Sequence, residues 1–208
     1  MNFDALIEPV AVVTGIAAVA LTVKQRISNW PVGIFSTALF LVLFVRAGLY
    51  ADASLQVLYI GLNLYGWWHW LGGGGPGGKA LAVTSMSKRT LILGGALAVM
   101  ATAAFGTFLD TTTDSTVPYP DAATTVLSLA AEILLTPKLI ENWPIWIFGV
   151  NVPYVAIYLS KGLPMTSALQ FVYIAFSVAG WIEWRRSMRE RSAAPSTEAT
   201  PAQAKASA

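Results

Sequence analysis

One tripeptide occurs twice: Asn29-Trp30-Pro31 recurs as Asn142-Trp143-Pro144, an offset of 113 residues (142 − 29). Further along, Gln56-x-x-Tyr59 recurs as Gln170-x-x-Tyr173, and Gly66-Trp67-x-x-Trp70 as Gly180-Trp181-x-x-Trp184. Both of these matches stand at an offset of 114 (170 − 56 and 180 − 66). The order and spacing hold over 29–70 and 142–184, which marks a duplicated structural unit. The change from 113 to 114 is expected as one residue gained in the loop near Lys161.

The unit is made of apolar runs. Crossing the hydrocarbon core of a bilayer takes about 20 mainly apolar residues. Runs of that kind occur at 5–23, 31–47, 53–71, 91–109, 122–137, 143–160 and 165–184. Only 12% of the 208 residues are charged and 55% are hydrophobic, whereas a soluble domain carries about 25% charged residues. So little charge cannot cover a globular surface, and lipid must cover it instead. The first run reads as a retained helix: Asp4 and Glu8 come at its start and Lys24 and Arg26 follow, the reverse of a signal peptide.

The expected fold is an all-α membrane protein of seven transmembrane helices. Two parallel three-helix repeats are joined by a linker helix (3+1+3), because an odd crossing between the units returns the second to the orientation of the first. The segments are a first three-helix unit at 1–71, a Gly-rich linker at 72–90 and a connecting helix at 91–109. An outer loop at 110–121, a second unit at 122–186 and a disordered tail at 187–208 complete the chain. Of the 13 Lys and Arg, 11 fall on one side of this topology and only Arg46 and Lys161 on the other. By the positive-inside rule the rich side is cytoplasmic. The N-terminus is then outside and the C-terminus inside a bacterial inner (plasma) membrane.

Parallel repeats about an axis along the membrane normal occur in transporters that bind substrate near the midplane. Polar side chains inside a membrane are costly and face the bundle interior or a water-filled path. Gln56, Tyr59 and Asn63 are spaced 3 and 4 apart and form one stripe on the third helix. Gln170, Tyr173 and Ser177 repeat that stripe on the seventh, and Asn151 lies on the sixth. Interhelical hydrogen bonding explains such stripes equally in bland terms. Trp67 and Trp181 each follow a glycine, which allows close helix approach, and are expected to line the path. The Asn-Trp-Pro pairs are expected to be structural, with Asn as helix cap, Pro in the first turn and Trp at the membrane interface.

Several classes are excluded. There are no cysteines and one histidine, His69, so disulfides, thiolate chemistry and multi-histidine metal centres are ruled out. No cofactor and no nucleic-acid partner are expected. Glu132 is the one carboxylate well placed for ion coupling, which favours a facilitator over a pump. An intramembrane enzyme, with His69 and Glu132 as its acid–base pair, and a sensor stay open as other classes.

Asn29-Trp30-Pro31-Val32-Gly33-Ile34, Gly48-Leu49-Tyr50-Ala51-Asp52, Tyr65-Gly66-Trp67-Trp68-x-Trp70, Glu141-Asn142-Trp143-x-x-Trp146 and Lys161-Gly162-Leu163 together resemble the PnuC-type nicotinamide riboside transporters. The resemblance covers about 24–184. It implies a vitamin facilitator related in fold to the SWEET transporters, commonly a homotrimer in the lipid bilayer. A cytoplasmic kinase would trap the imported vitamin by phosphorylation. It places the family's aromatic motifs on Trp67, Trp70, Trp181 and Trp184, and its sixth-helix asparagine on Asn151. The expected substrate-binding set is Asn63, Asn151, Trp67, Trp181, Gln56, Gln170, Tyr59, Tyr173 and Trp184. Leu169-Gln170 departs from the family's usual tyrosine there, so thiamine and riboflavin stay open beside nicotinamide riboside.

Overall fold

The computed structural model describes residues 3–46, 48, 50–72, 81–160 and 164–193. Among them the chain forms seven helices: α1 (Phe3–Val23), α2 (Asn29–Arg46), α3 (Tyr50–Leu71), α4 (Lys88–Thr112) and α5 (Pro118–Leu135), then α6 (Asn142–Ser160) and α7 (Pro164–Ala193). No strand occurs among the described residues, only one isolated bridge between Thr84 and Leu139. α2, α4 and α6 are long and apolar enough to cross a membrane by length and composition, and Ile7–Val23 is a shorter apolar stretch.

Local chemistry sets the helix ends. The Ser87 hydroxyl caps α4 by accepting from the Thr90 N–H at 3.1 Å. Pro118 opens α5, where its missing N–H costs nothing. α1 and α5 stop in the same way. The N–H groups of Gln25 and Arg26 return to the carbonyls of Thr22 and Leu21, and those of Lys138 and Leu139 to Leu135 and Leu134. These are paired 5→2 and 6→1 bonds around a left-handed residue, which is usually glycine. Here it is Gln25 at φ 52° and Lys138 at φ 55°. A left-handed residue with a Cβ costs about 1–2 kcal/mol. The Lys138 ammonium donates to Gln25 Oε1 at 3.2 Å, so the two strained positions meet.

α1, α2 and α3 pack in sequence, as do α5, α6 and α7. Between the two groups, α1 packs on α7 and α3 on α5, whereas α4 packs on α5 alone. Nearly all of α4 is exposed, with Ile92 and Val99 each 70% accessible.

α6 differs from α2. Residues Ile145–Asn151 are wound as π-helix, and a π-bulge absorbs one extra residue in an α-helix. The stacked rings of Phe40 and Phe44 on α2 recur as stacked Tyr154 and Tyr158 on α6, already at an offset of 114 (154 − 40). The residue gained by the second copy therefore lies in this π-segment. The expectation that it lies in the loop near Lys161 is corrected.

The Asn-Trp-Pro motifs also sit elsewhere than expected. Trp30 and Trp143 are 1% and 2% exposed, not at an interface. Each ring abuts a glycine: a Cβ on Gly66 would fall 2.2 Å from Trp30, and one on Gly180 2.4 Å from Trp143. Trp30 meets Trp70 edge-on at 5.3 Å, and Trp143 meets Trp184 in the same geometry at 5.3 Å. The glycine of one motif exists to receive the tryptophan of the other. Asn142 does not cap α6; its amide donates back to the Leu139 carbonyl at 2.5 Å.

The boundaries differ in two places. α7 runs on to Ala193, past the expected unit end at 186. Part of the expected Gly-rich linker and most of the expected tail, 73–80 and 194–208, lie outside the described residues. The linker's second half is held down: Thr84 exchanges backbone bonds with Lys138 and Ile140, and Glu141 accepts from the Met86 N–H at 2.9 Å and from the Ser85 hydroxyl.

Candidate functional site

A cavity of about 450 Å³ lies between the two helix groups, within the range of small-molecule sites, roughly 300–1,000 Å³. All helices except α4 line it. α1 contributes Gly15, Ala18, Val19 and Thr22, and α5 contributes Ser128, Glu132 and Leu135. α2 and α6 contribute Asn29, Trp30, Gly33, Phe40 and Phe44 against Asn142, Trp143, Trp146, Asn151, Tyr154 and Tyr158. α3 and α7 contribute Gln56, Tyr59 and Asn63 against Gln170, Tyr173 and Ser177.

Six of the nine residues expected to bind substrate are therefore brought together: Asn63, Asn151, Gln56, Gln170, Tyr59 and Tyr173. The other three are not. Trp184 is fully buried and Trp67 and Trp181 pack against the same apolar cluster, formed by Trp30, Trp143, Leu135 and Ile140. Their placement follows from Gly66 and Gly180. Gly66 and Gly180 let the Trp30 and Trp143 indoles approach, and Trp67 and Trp181 beside them pack against the cluster those indoles form. Arg185 covers the Trp181 ring at 4.6 Å. The cavity's indoles come instead from Trp30, Trp143 and Trp146.

Cross-connections hold the walls. The hydroxyls of Tyr59 on α3 and Ser128 on α5 share a 2.5 Å hydrogen bond. In the other direction Tyr173 on α7 reaches Gly15 on α1, where a Cβ would stand 3.6 Å from its hydroxyl. The Trp70 indole donates to the Thr136 carbonyl at 2.8 Å, and the Trp184 indole to the Thr22 carbonyl at 3.3 Å. Each indole thus ties its own group to the end of the first helix of the other. Lys138 lies over the Trp70 ring at 4.3 Å, and burial pushes its ammonium down to about 8, with Arg191 adding to the shift. Asn63 donates to the Tyr59 carbonyl at 2.8 Å. Its Oδ1 occupies the space a Cβ on Gly33 would enter, 2.9 Å away.

His69 does not line the cavity; it stacks on Tyr65 at 6.1 Å, so the acid–base pair with Glu132 is not assembled. Trp146, Tyr154 and Tyr158 were missed as site residues, although the Phe40/Phe44 pair repeats at Tyr154/Tyr158 and signalled the last two.

The family described as "Nicotinamide mononucleotide transporter" matches residues 5–186. The chain belongs to that family. It is a membrane transporter and not an enzyme. Among its relatives is the "Nicotinamide riboside transporter PnuC" of Escherichia coli (strain K12), 30% identical over 210 residues, covering 89% of this chain and 87% of that protein. Another is the "Riboflavin/roseoflavin transporter RibM" of Streptomyces davaonensis, 27% identical over 198 residues, covering 91% and 89%. The crystal structure of the vitamin B3 transporter PnuC superposes with a TM-score of 0.71 at 27% identity, over 91% of this chain and 84% of that one.

Proposed function

We propose that this family member carries nicotinamide riboside across the bacterial inner membrane as a facilitator. The observation that carries the reading is the charge of the cavity wall. Glu132 is its one carboxylate, and no Lys, Arg or His is among the described lining residues. A nucleotide brings a phosphate of about −1.5 to −2 charge at pH 7, which such a wall repels and cannot pair. A nucleoside brings ribose hydroxyls, which suit Gln56, Asn63, Asn151 and Gln170, and a pyridinium ring. A fixed cation over an aromatic face is attracted by the ring quadrupole, and Trp146 and Tyr154 supply aromatic rings to the wall. The names of two relatives divide between a riboside and riboflavin, so riboflavin is the competing cargo.

The architecture that serves this function is two parallel three-helix repeats, α1–α3 and α5–α7, with α4 as connector, related to the SWEET fold. The matched Trp30/Trp70 and Trp143/Trp184 pairs and the reciprocal tyrosine contacts support it. Substrate would reach the site from either face as the repeats rock about it, with phosphorylation by a cytoplasmic kinase trapping the product and three copies assembling in the membrane. The skew of basic residues supports an outside N-terminus. A cysteine at Thr116 should then react with an impermeant thiol reagent added to intact cells, and one at Ser192 should not; the reverse pattern inverts the topology. For the cargo, calorimetry on purified protein should show nicotinamide riboside binding at least tenfold tighter than nicotinamide mononucleotide and riboflavin. Preference for either of the latter overturns the reading.

A further inference from the structure

Glu132 departs from the symmetry of the cavity wall. At an offset of 113 (132 − 19) α1 presents Val19, and both positions face the cavity. The same offset pairs Gly15 with Ser128 (128 − 15), the residues met by Tyr173 and Tyr59, so the register is set by contacts as well as by sequence. Glu132 stands one turn after Ser128 on the same helix face and is 9% exposed. No hydrogen bond or ion pair to it occurs among the described residues.

An unpaired carboxylate in a site of low dielectric is costly. Such a group is retained in a membrane protein where it meets a charged partner. The described lining residues offer it no cation, which leaves the cargo. Resting on the substrate reading above, we propose that Glu132 is a specificity-determining residue: the counter-charge that makes the cavity prefer a positively charged heterocycle over a neutral one of the same shape. The aromatic and amide side chains recognise the ring and sugar, which charged and neutral cargoes share. The carboxylate is the element that separates them. The single acidic position breaks the pseudo-symmetry, and so holds the cationic ring toward α5 and α6 and not toward α1 and α2.

The test compares two ligands of nearly one shape, nicotinamide riboside with its pyridinium charge and the reduced, uncharged dihydropyridine riboside. Binding to parent, Glu132→Gln and Glu132→Asp is measured by calorimetry, with folding checked by size-exclusion chromatography and thermal melting. The expected result is at least a tenfold loss for the cation in Glu132→Gln, less than a twofold change for the neutral riboside, and retention of the preference in Glu132→Asp. Equal losses for both ligands, or no loss for either, overturn the proposal. So does a Glu132→Gln protein that keeps the preference while losing a proton-gradient dependence of uptake. Should Glu132→Gln fail to fold, absence of a tenfold charge preference in the parent overturns it as well. If the parent binds neither riboside, the substrate reading fails, and the charge preference is then read with thiamine, a cation, against uncharged riboflavin.

Discussion

Gly33 on α2 and Trp146 on α6 stand 113 residues apart (146 − 33) and line one cavity. Asn63 and Ser177, 114 apart (177 − 63), line it as well. The first half supplies a small residue and a large amide, which meet, and the second supplies a large indole and a small hydroxyl. The total volume is shared differently while the frame stays the same. At the Trp30/Trp70 and Trp143/Trp184 contacts the halves are nearly superimposable, with edge-on rings at 5.3 Å in both. Duplication is preserved where helices pack and, on the cavity wall, at Gln56/Gln170 and Tyr59/Tyr173, and it is broken on that wall at Gly33/Trp146, Asn63/Ser177 and Val19/Glu132. A cargo that lacks two-fold symmetry needs unlike walls, and the π-segment of α6 is where the second wall has been reshaped.

The comparison breaks if the packing tryptophans are not equivalent. Trp30→Ala and Trp143→Ala should each destabilise the protein by about 3–5 kcal/mol, and by the same amount within error in thermal melts in detergent. A large loss at only one of them would mean that one half carries the bundle. Next in size, Gly66→Ala and Gly180→Ala press a methyl into an indole and should cost roughly 1–3 kcal/mol each, again as a matched pair.

Substitutions on the cavity wall should be unequal. Asn151→Ala removes a buried amide, worth about 1–3 kcal/mol, and should weaken nicotinamide riboside binding roughly tenfold by calorimetry. Its counterpart by the same register, Thr37→Ala (151 − 37 is 114), should change binding less than threefold. Equal effects would argue that both walls grip the ligand alike. Ser128→Ala removes the hydroxyl bonded to Tyr59 and should lower stability by about 1 kcal/mol, with no matching loss available at Gly15.

The last effect concerns Lys138, whose ammonium burial pushes down to about 8. Burial favours its neutral form, so charging it costs stability as pH falls from the unfolded value of about 10.4 to about 8. Replacing it by Met should therefore flatten the pH dependence of the melting temperature across that window. An unchanged slope would show that Lys138 is not the group responsible.

The amino-acid sequence alone carried the seven apolar runs, the duplicated motifs and the polar stripes of α3 and α7, because membrane burial and helical periodicity are both written in local residue order. Five of the nine residues expected to bind substrate followed from those stripes, and Asn151 from its polar side chain within the sixth apolar run. The tertiary structure decided which side of a helix end each tryptophan takes. Trp67 and Trp70 are three residues apart with similar chemistry, and only the facing Trp30 ring over Gly66 settles that both belong to the packed cluster. Nor does local order reveal the π-segment: an inserted residue is absorbed in helix or loop at the same count, and the stacked Tyr154 and Tyr158 rings place it in the helix. The left-handed turns at Gln25 and Lys138 carry no glycine to announce them. Their side chains meet across the bundle, a contact between residues 113 apart (138 − 25) that no local rule contains.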